Sequence, residues 1–232
     1  MDVDNSGGSQ VWVPEGAEFG LDAGELIHLS YGQSSLYRVL PVTKDGKLQG
    51  GVAKLPISLQ SSAMRARFHE DGSLYVLGFR GWQTNAATEC AFQRIRHNEG
   101  VPIGIPEEME YTDKGIRLTF AVKLDAELAE DPTSYSAQRW DYVRGPQYGS
   151  GEFSVDNPDK EAREKALTSE SKNVRNRDNA EISSAKLSPD GKTVDLVIEG
   201  MKPSMSLKVS YDLEDTEGEI LKSEVHATVY GK

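Results

Sequence analysis

Cys90 is the only cysteine of the chain, with His69 upstream and His97 downstream, so a thiol nucleophile with an imidazole base is the first chemistry to weigh. Such a thiol needs a nearby cation, a helix N-terminus or a paired histidine to favour its thiolate. The adjacent residue here is Glu89, whose negative charge opposes one. On a strand, His97 lies seven positions on and points to the opposite face, because side chains alternate. A packed or loop cysteine is therefore the expected role of Cys90, as for most free cysteines. The single cysteine also excludes an internal disulfide, paired-cysteine zinc motifs and a CxxCH haem attachment within this sequence.

Three other clusters carry chemistry. In "RGWQTNAATE" (Arg80–Glu89), Trp82 offers a flat apolar ring, and Arg80, Gln83, Thr84 and Asn85 offer hydrogen-bonding groups. That combination suits a small-molecule or sugar contact, and equally a structural tryptophan in a self-bonded loop. In "RWDYVRGPQYG" (Arg139–Gly149), Trp140, Tyr142 and Tyr148 could stack on a sugar ring. Trp140 and Tyr142 share a strand face at period two, which fits a platform or a core row, and the need to fill a sandwich interior favours the core row. In "DVDNSGG" (Asp2–Gly8), the oxygens of Asp2, Asp4 and Ser6 copy the first half of a calcium loop, but the closing bidentate acid is missing. An Asx turn is the expected reading. The acidic runs "EEME" (Glu107–Glu110) and "DLEDTEGE" (Asp212–Glu219) read as solvated surface rather than a pair of catalytic carboxylates across a cleft.

The elements that must position these residues are almost all strands. The chain has 232 residues, 37% hydrophobic and 27% charged, with a net charge of −11. That balance disfavours nucleic-acid phosphates and anionic membrane surfaces as partners. No run is long enough for a membrane span, and the start "MDVDNSGGSQ" is not a secretion signal. Short β-branched and aromatic runs separated by turn signals predict strands near 10–13, 25–30, 36–42, 49–55, 64–68, 74–79 and 91–96. Asp-Gly turns at Lys44–Lys47 and Glu70–Ser73 punctuate them. "NEGVPIGIPEE" (Asn98–Glu108) breaks the pattern and marks a domain boundary. Beyond it, strands are predicted at 115–124, 135–142, 182–187, 193–198, 207–211 and 219–228, with Ile116, Leu118 and Phe120 on one face. "NPDKEAREKALTSESKNVRNRDNAE" (Asn157–Glu181) is highly charged and nearly without large apolar residues, so it reads as a mobile, removable insertion with a short helix at Lys160–Leu167.

Seven phrases together carry a resemblance: "DNSGGSQVWVP" (Asp4–Pro14), "GELIHLSYGQSSLYRVL" (Gly24–Leu40), "GKLQGGVAKLP" (Gly46–Pro56), "MRARFHEDGSLYVLGFRGWQTNAA" (Met64–Ala87), "FQRIRH" (Phe92–His97), "QRWDYVRGPQYGSGEFSV" (Gln138–Val155) and "LSPDGKTVDLVIEGMKP" (Leu187–Pro203). The chain resembles the C-terminal part of large exported proteins of planctomycete and verrucomicrobial type. Those proteins carry a β-propeller similar to glucose/sorbosone dehydrogenases, then an Ig-like sandwich, often then a c-type cytochrome domain. The resemblance implies an all-β chain: a partial β-propeller over 1–100, followed by an Ig-like β-sandwich over 101–232. A blade takes roughly 40–50 residues, so about two blades are expected, with an open sheet edge and an uncovered apolar surface. The other blades would come from another chain or from the rest of a longer gene product.

The resemblance further implies a periplasmic or secreted protein and a non-catalytic segment, a spacer and docking module between propeller and electron-accepting domain. Its partners would be the remaining blades and a cytochrome c domain. No cofactor is expected in this chain, although parent-type proteins carry haem c. The alternative from the residues alone is a carbohydrate-binding module using Arg80, Trp82, Gln83, Thr84 and Asn85, or Trp140, Tyr142 and Tyr148.

Overall fold

The computed structural model describes residues 3–230. Fifteen strands, two short α-helices and one 3₁₀ turn are found among them, in antiparallel sheets none of which closes on itself. No helix is long and apolar enough to cross a membrane. The chain divides into two compact units, one built from residues up to Leu40 and from Val52–Ile105, the other from Pro41–Gly51 and from Pro106 onward.

The first unit holds two consecutive meanders. Gly7–Trp12 (β1), Leu26–Ser30 (β2), Ser35–Lys44 (β3) and Lys47–Lys54 (β4) lie side by side in chain order. Arg65–Phe68 (β5), Leu74–Phe79 (β6) and Cys90–Ile95 (β7) form a separate three-stranded sheet with β7 at one edge. The β3–β4 turn is "KDGK": Asp45 and Gly46 both have positive φ, 51° and 74°, as a two-residue hairpin of matching twist requires. The buried side chains Ile27, Leu29, Leu36, Leu40, Leu55, Leu74 and Val76 fill the interior. Each comes from the inward parity of a strand, or from the residue just after one.

The β5–β7 sheet is held from below by the segment Ser61–Met64. The Ser62 hydroxyl donates to the Phe79 carbonyl at 2.7 Å and accepts from the Phe79 N–H at 3.0 Å. The Met64 N–H reaches the Leu77 carbonyl at 3.0 Å. This close approach is possible because residue 78 is glycine: a Cβ there would lie 1.6 Å from the Ser62 carbonyl oxygen.

The second unit is sandwich-like, with one sheet ordered β12-β13-β9-β8. Its strands are Glu108–Tyr111 (β8), Gly115–Thr119 (β9), Ile182–Leu187 (β12) and Thr193–Ile198 (β13). The facing set contains Tyr135–Trp140 (β10), Asp178–Ala180 (β11), Ser204–Glu214 (β14) and Ile220–Val229 (β15), ordered β15-β14-β10-β11. The far half of the β3–β4 hairpin, Pro41–Gly51, belongs to this unit and places β4 beside β15. The expected first domain, 1–100, includes that hairpin entirely. Ile116, Leu118 and Phe120 share the inward face as expected and are essentially inaccessible, with the Phe120 ring edge-on to Tyr211 at 5.5 Å. Ala126–Ala129 (α1) follows β9 and is capped by Asp125, whose carboxylate accepts from the Leu128 N–H at 3.0 Å.

The charged segment 157–181 departs from its expected role as a removable insertion. Its helix, Lys160–Ala166 (α2), forms where predicted and is capped by Asp159. The segment is then tied down by polar contacts that its composition does not reveal. Arg163 donates to Asp141 at 3.0 Å and to the Ser154 carbonyl at 2.8 Å. Arg177 forms a two-pronged pair with Glu152 at 2.8 and 2.7 Å. Asp178 accepts from the Ser154 hydroxyl, the Val155 N–H and the Asp156 N–H at 2.6, 2.6 and 3.0 Å. Finally β11 pairs with β10 through Ala137–Ala180 and its neighbours. Order here comes from charge-assisted hydrogen bonds rather than buried apolar area.

Candidate functional site

The feature that stands out in the first unit is the outer face of β5–β7. Registry places Arg65 opposite Leu77 and Leu77 opposite Phe92. Arg67, Tyr75 and Arg94 form the row on one side of it, and Phe79 and Cys90 the row on the other. Directly opposed residues share a face, so these side chains form one surface. Leu77, Phe79 and Phe92 on it are 52%, 46% and 70% exposed. Tyr75 stacks on Phe92 at 5.5 Å, and Phe79 meets Tyr31 edge-on at 5.8 Å. Every residue of β7 is at least partly accessible. A contiguous apolar surface of this kind on a sheet marks an interaction site.

Three arginines border it. Arg94 is engaged with Asp71 at 3.2 Å and with the Ser73 hydroxyl at 2.9 Å. Arg65 donates to the carbonyls of Gly8 and Met64, and Arg67 to that of Ala66. Those last two guanidinium groups rest on neutral oxygens, with no carboxylate partner among the described residues. Leu77, Phe79, Phe92, Arg65 and Arg67 were not singled out from sequence. The signal for them is the unbroken apolar run "LYVLGF" in β6: a strand lacking a polar face is one built to be covered on both sides.

The loop Arg80–Glu89 joins β6 to β7 at the end of this face. Trp82 is 72% exposed at its tip. Its polar neighbours are tied to other parts of the chain or to one another. The Asn85 N–H donates to the Gly32 carbonyl at 3.0 Å and its amide to the Gln33 carbonyl at 3.1 Å. Thr84 bonds across the turn to Gly81 at 3.3 Å. Gln83 adopts a left-handed φ of 57°, and its carbonyl accepts from the Asn5 amide at 2.9 Å. Arg80 is ion-paired with Glu89. Of the sequence candidates here, Trp82 presents its ring outward, while Gln83, Thr84 and Asn85 hold the loop.

The second aromatic cluster does not form an open platform. Trp140 is buried, with the Arg177 guanidinium 4.0 Å above its ring centroid. Tyr142 is half-buried under Arg144, whose guanidinium lies 5.9 Å from the ring centroid, and Tyr148 alone is well exposed. The β10 strand stops at Trp140, so the period-two alignment of Trp140 with Tyr142 does not continue. Core packing claims Trp140.

Cys90 is exposed and stands opposite Phe79. The His97 ring is bonded to the Val101 carbonyl at 2.6 Å, and His69 faces Asp71 and Tyr75. No hydrogen bond joins either imidazole to Cys90 among the described residues. We expect iodoacetamide at neutral pH to modify Cys90 no faster than a free thiol peptide, and Cys90→Ser to leave the unfolding midpoint in place. Alkylation tenfold faster would reinstate the nucleophile. At the N-terminus, Asp2 lies outside the described residues. Asp4 forms an Asx turn to the Ser6 N–H at 2.8 Å and spends its other contacts on His28 and Ser30. No cluster of three or more metal-ligating side chains occurs among the described residues.

No protein-family model matches the chain, and comparison with curated proteins and with solved structures found no significant match.

Proposed function

We propose that this chain is a non-catalytic docking module whose outer β5–β7 face receives a second β-sheet. The observation that carries the reading is the row of Leu77, Phe79 and Phe92 left accessible on one sheet face beside an edge strand. The occupant that fits is a sheet with an apolar centre and carboxylates at its border, because Arg65 and Arg67 flank the apolar row resting only on backbone carbonyls. The resemblance supplies the identity of that sheet: a neighbouring blade of a glucose/sorbosone dehydrogenase-like propeller. The sandwich-like second unit then acts as the spacer toward an electron-accepting domain.

A sugar platform at Trp82 is the weaker reading, since Asn85 and Thr84 direct their side-chain hydrogen bonds to backbone carbonyls of Gln33 and Gly81 rather than toward a ligand.

Cys90 provides the test, because it lies on the face itself. An environment-sensitive fluorophore on Cys90 is titrated with a purified propeller of that type lacking its last two blades. A saturating change is expected, and Leu77→Ser with Phe92→Ser should weaken it about a hundredfold or more. Each exposed side chain would otherwise contribute about 1.5–3 kcal/mol on full burial. No response to the propeller would end the reading, and a response to oligosaccharides alone would replace it with the sugar platform.

A further inference from the structure

Val3–Ser6 lie against β2 and β3 and reach the Trp82 loop through Asn5. The Asp4 carboxylate is their anchor. One oxygen meets the His28 ring at 2.7 Å, and the other accepts from the Ser30 hydroxyl at 2.5 Å and from the Ser6 N–H at 2.8 Å. The Tyr37 hydroxyl donates to the Val3 carbonyl. The Ser6 carbonyl accepts from the N–H groups of Tyr31 and Gly32 at 2.9 and 3.3 Å. These bonds fix Asn5 between them, with its amide on the Gln83 carbonyl at 2.9 Å. Gly32 makes room: a Cβ there would lie 1.7 Å from the Asn5 carboxamide oxygen.

We infer that Asn5 is a positioning residue for Trp82, and that the Asp4 carboxylate locks it, so that Asp4–Ser6 act as an acid-releasable strap on the loop that carries Trp82 between β6 and β7. Gln83 is the residue the strap holds, and its left-handed backbone is a conformation that a non-glycine residue adopts only when its surroundings enforce it. The functional weight of the strap rests on the docking reading, but the strap itself exists in the free protein.

The titratable and charged groups around the anchor are few. His28 faces it from β2, and Gln10 on β1 bonds the other ring nitrogen of His28 at 3.1 Å. Tyr37 comes from β3, and Arg65 of β5 binds the Gly8 carbonyl nearby. Burial pushes the Asp4 carboxyl up, but the bonds from His28, Ser30 and the Ser6 N–H outweigh this and hold it below the usual carboxylate range. A carboxyl depressed in the folded state stabilises its contacts above its unfolded value. It gives them up as pH falls through the folded one. The strap is therefore locked at neutral pH and released only in strong acid.

Amide exchange and the Trp82 indole resonance, measured on the whole chain without any partner, test this. Asn5→Ala should raise exchange of the Asn85 N–H at least tenfold and broaden or shift the Trp82 indole signal. Gly32→Ala, which evicts the Asn5 carboxamide, should change the Trp82 indole signal in the same way, and combining it with Asn5→Ala should add nothing further to that change. Acid titration should move the Trp82 signal in a step that Asp4→Asn abolishes. Unchanged exchange in Asn5→Ala, or full additivity of the two substitutions, would overturn the inference. If the strap behaves as stated but the Cys90-labelled protein ignores the propeller, the docking reading fails and the strap stands. If both hold, Asn5→Ala should weaken the propeller titration several-fold.

Discussion

Gly78→Ala is expected to destabilise the first unit by about 3–5 kcal/mol, a large part of the ~5–15 kcal/mol that keeps a typical domain folded. The added methyl group would overlap the backbone of Ser62, with its carbonyl oxygen 1.6 Å and its carbonyl carbon 2.5 Å away. Backbone cannot rotate aside as the end of a long side chain can. The segment must therefore retreat from β6, at a cost of about 1–3 kcal/mol or more for overpacking. In retreating it breaks both bonds between the Ser62 hydroxyl and Phe79, and each buried group left unpaired costs about 1–3 kcal/mol. Gly7→Ala is the matched control, also at a strand glycine, where the nearest atom to a new Cβ is 3.4 Å away. It should cost less than about 1 kcal/mol. Denaturant unfolding of the two variants side by side decides the matter. Equal midpoints would mean that the Ser61–Met64 segment does not clamp the sheet.

Replacing residues 157–181 with a short Gly-Ser linker is expected to cost the second unit about 3–6 kcal/mol. The segment's apolar area is small, so the loss is ionic. Glu152 and Asp141 would lose the guanidinium groups of Arg177 and Arg163. The Glu152 and Arg177 side chains are only 12% and 16% exposed, and leaving one charge of such a pair without its partner costs about 3–5 kcal/mol. Trp140 would lose the guanidinium that covers its ring, and β10 would become an edge. Limited trypsin digestion gives the finer test. Cleavage should begin at Lys172 and Arg175, whose side chains are more than half exposed, while Arg163 and Arg177 resist. A deletion that moves the unfolding free energy by less than about 1 kcal/mol would return the segment to the status of a dispensable loop.

The same segment shows where a sequence stops being informative. Strands such as β9 and β13 were legible because alternation of apolar residues is the physical cause of their burial, and β6 because a short apolar run bounded by turn signals reads as a strand. In 157–181 the order comes from which arginine meets which carboxylate, and composition alone scores such a stretch as mobile. β8 was hidden for a related reason: "EEME" presents only Met109 to the interior, so its acidic residues masked a four-residue strand. At the candidate site, Trp82 was visible as a residue type, but the docking face was not. Leu77 and Phe92 lie fifteen positions apart in sequence, and only the β6–β7 register makes them one surface. Asn5 was invisible as a positioning group, because nothing in "DVDNSGG" points toward Gln83.

The assignment of Pro41–Gly51 to the second unit has a temporal meaning. This hairpin end leaves the ribosome early, yet β15, beside which β4 lies, is completed roughly 170 residues later. At about 5–20 residues per second, the hairpin end waits on the order of 10–30 s for that neighbour. During that interval its backbone donors and acceptors on the β15 side, along with the exposed Leu48, are open to chaperones and to other nascent chains. Slowing translation across residues 106–220 should lower the soluble yield, and substituting Leu48 with lysine should recover part of it.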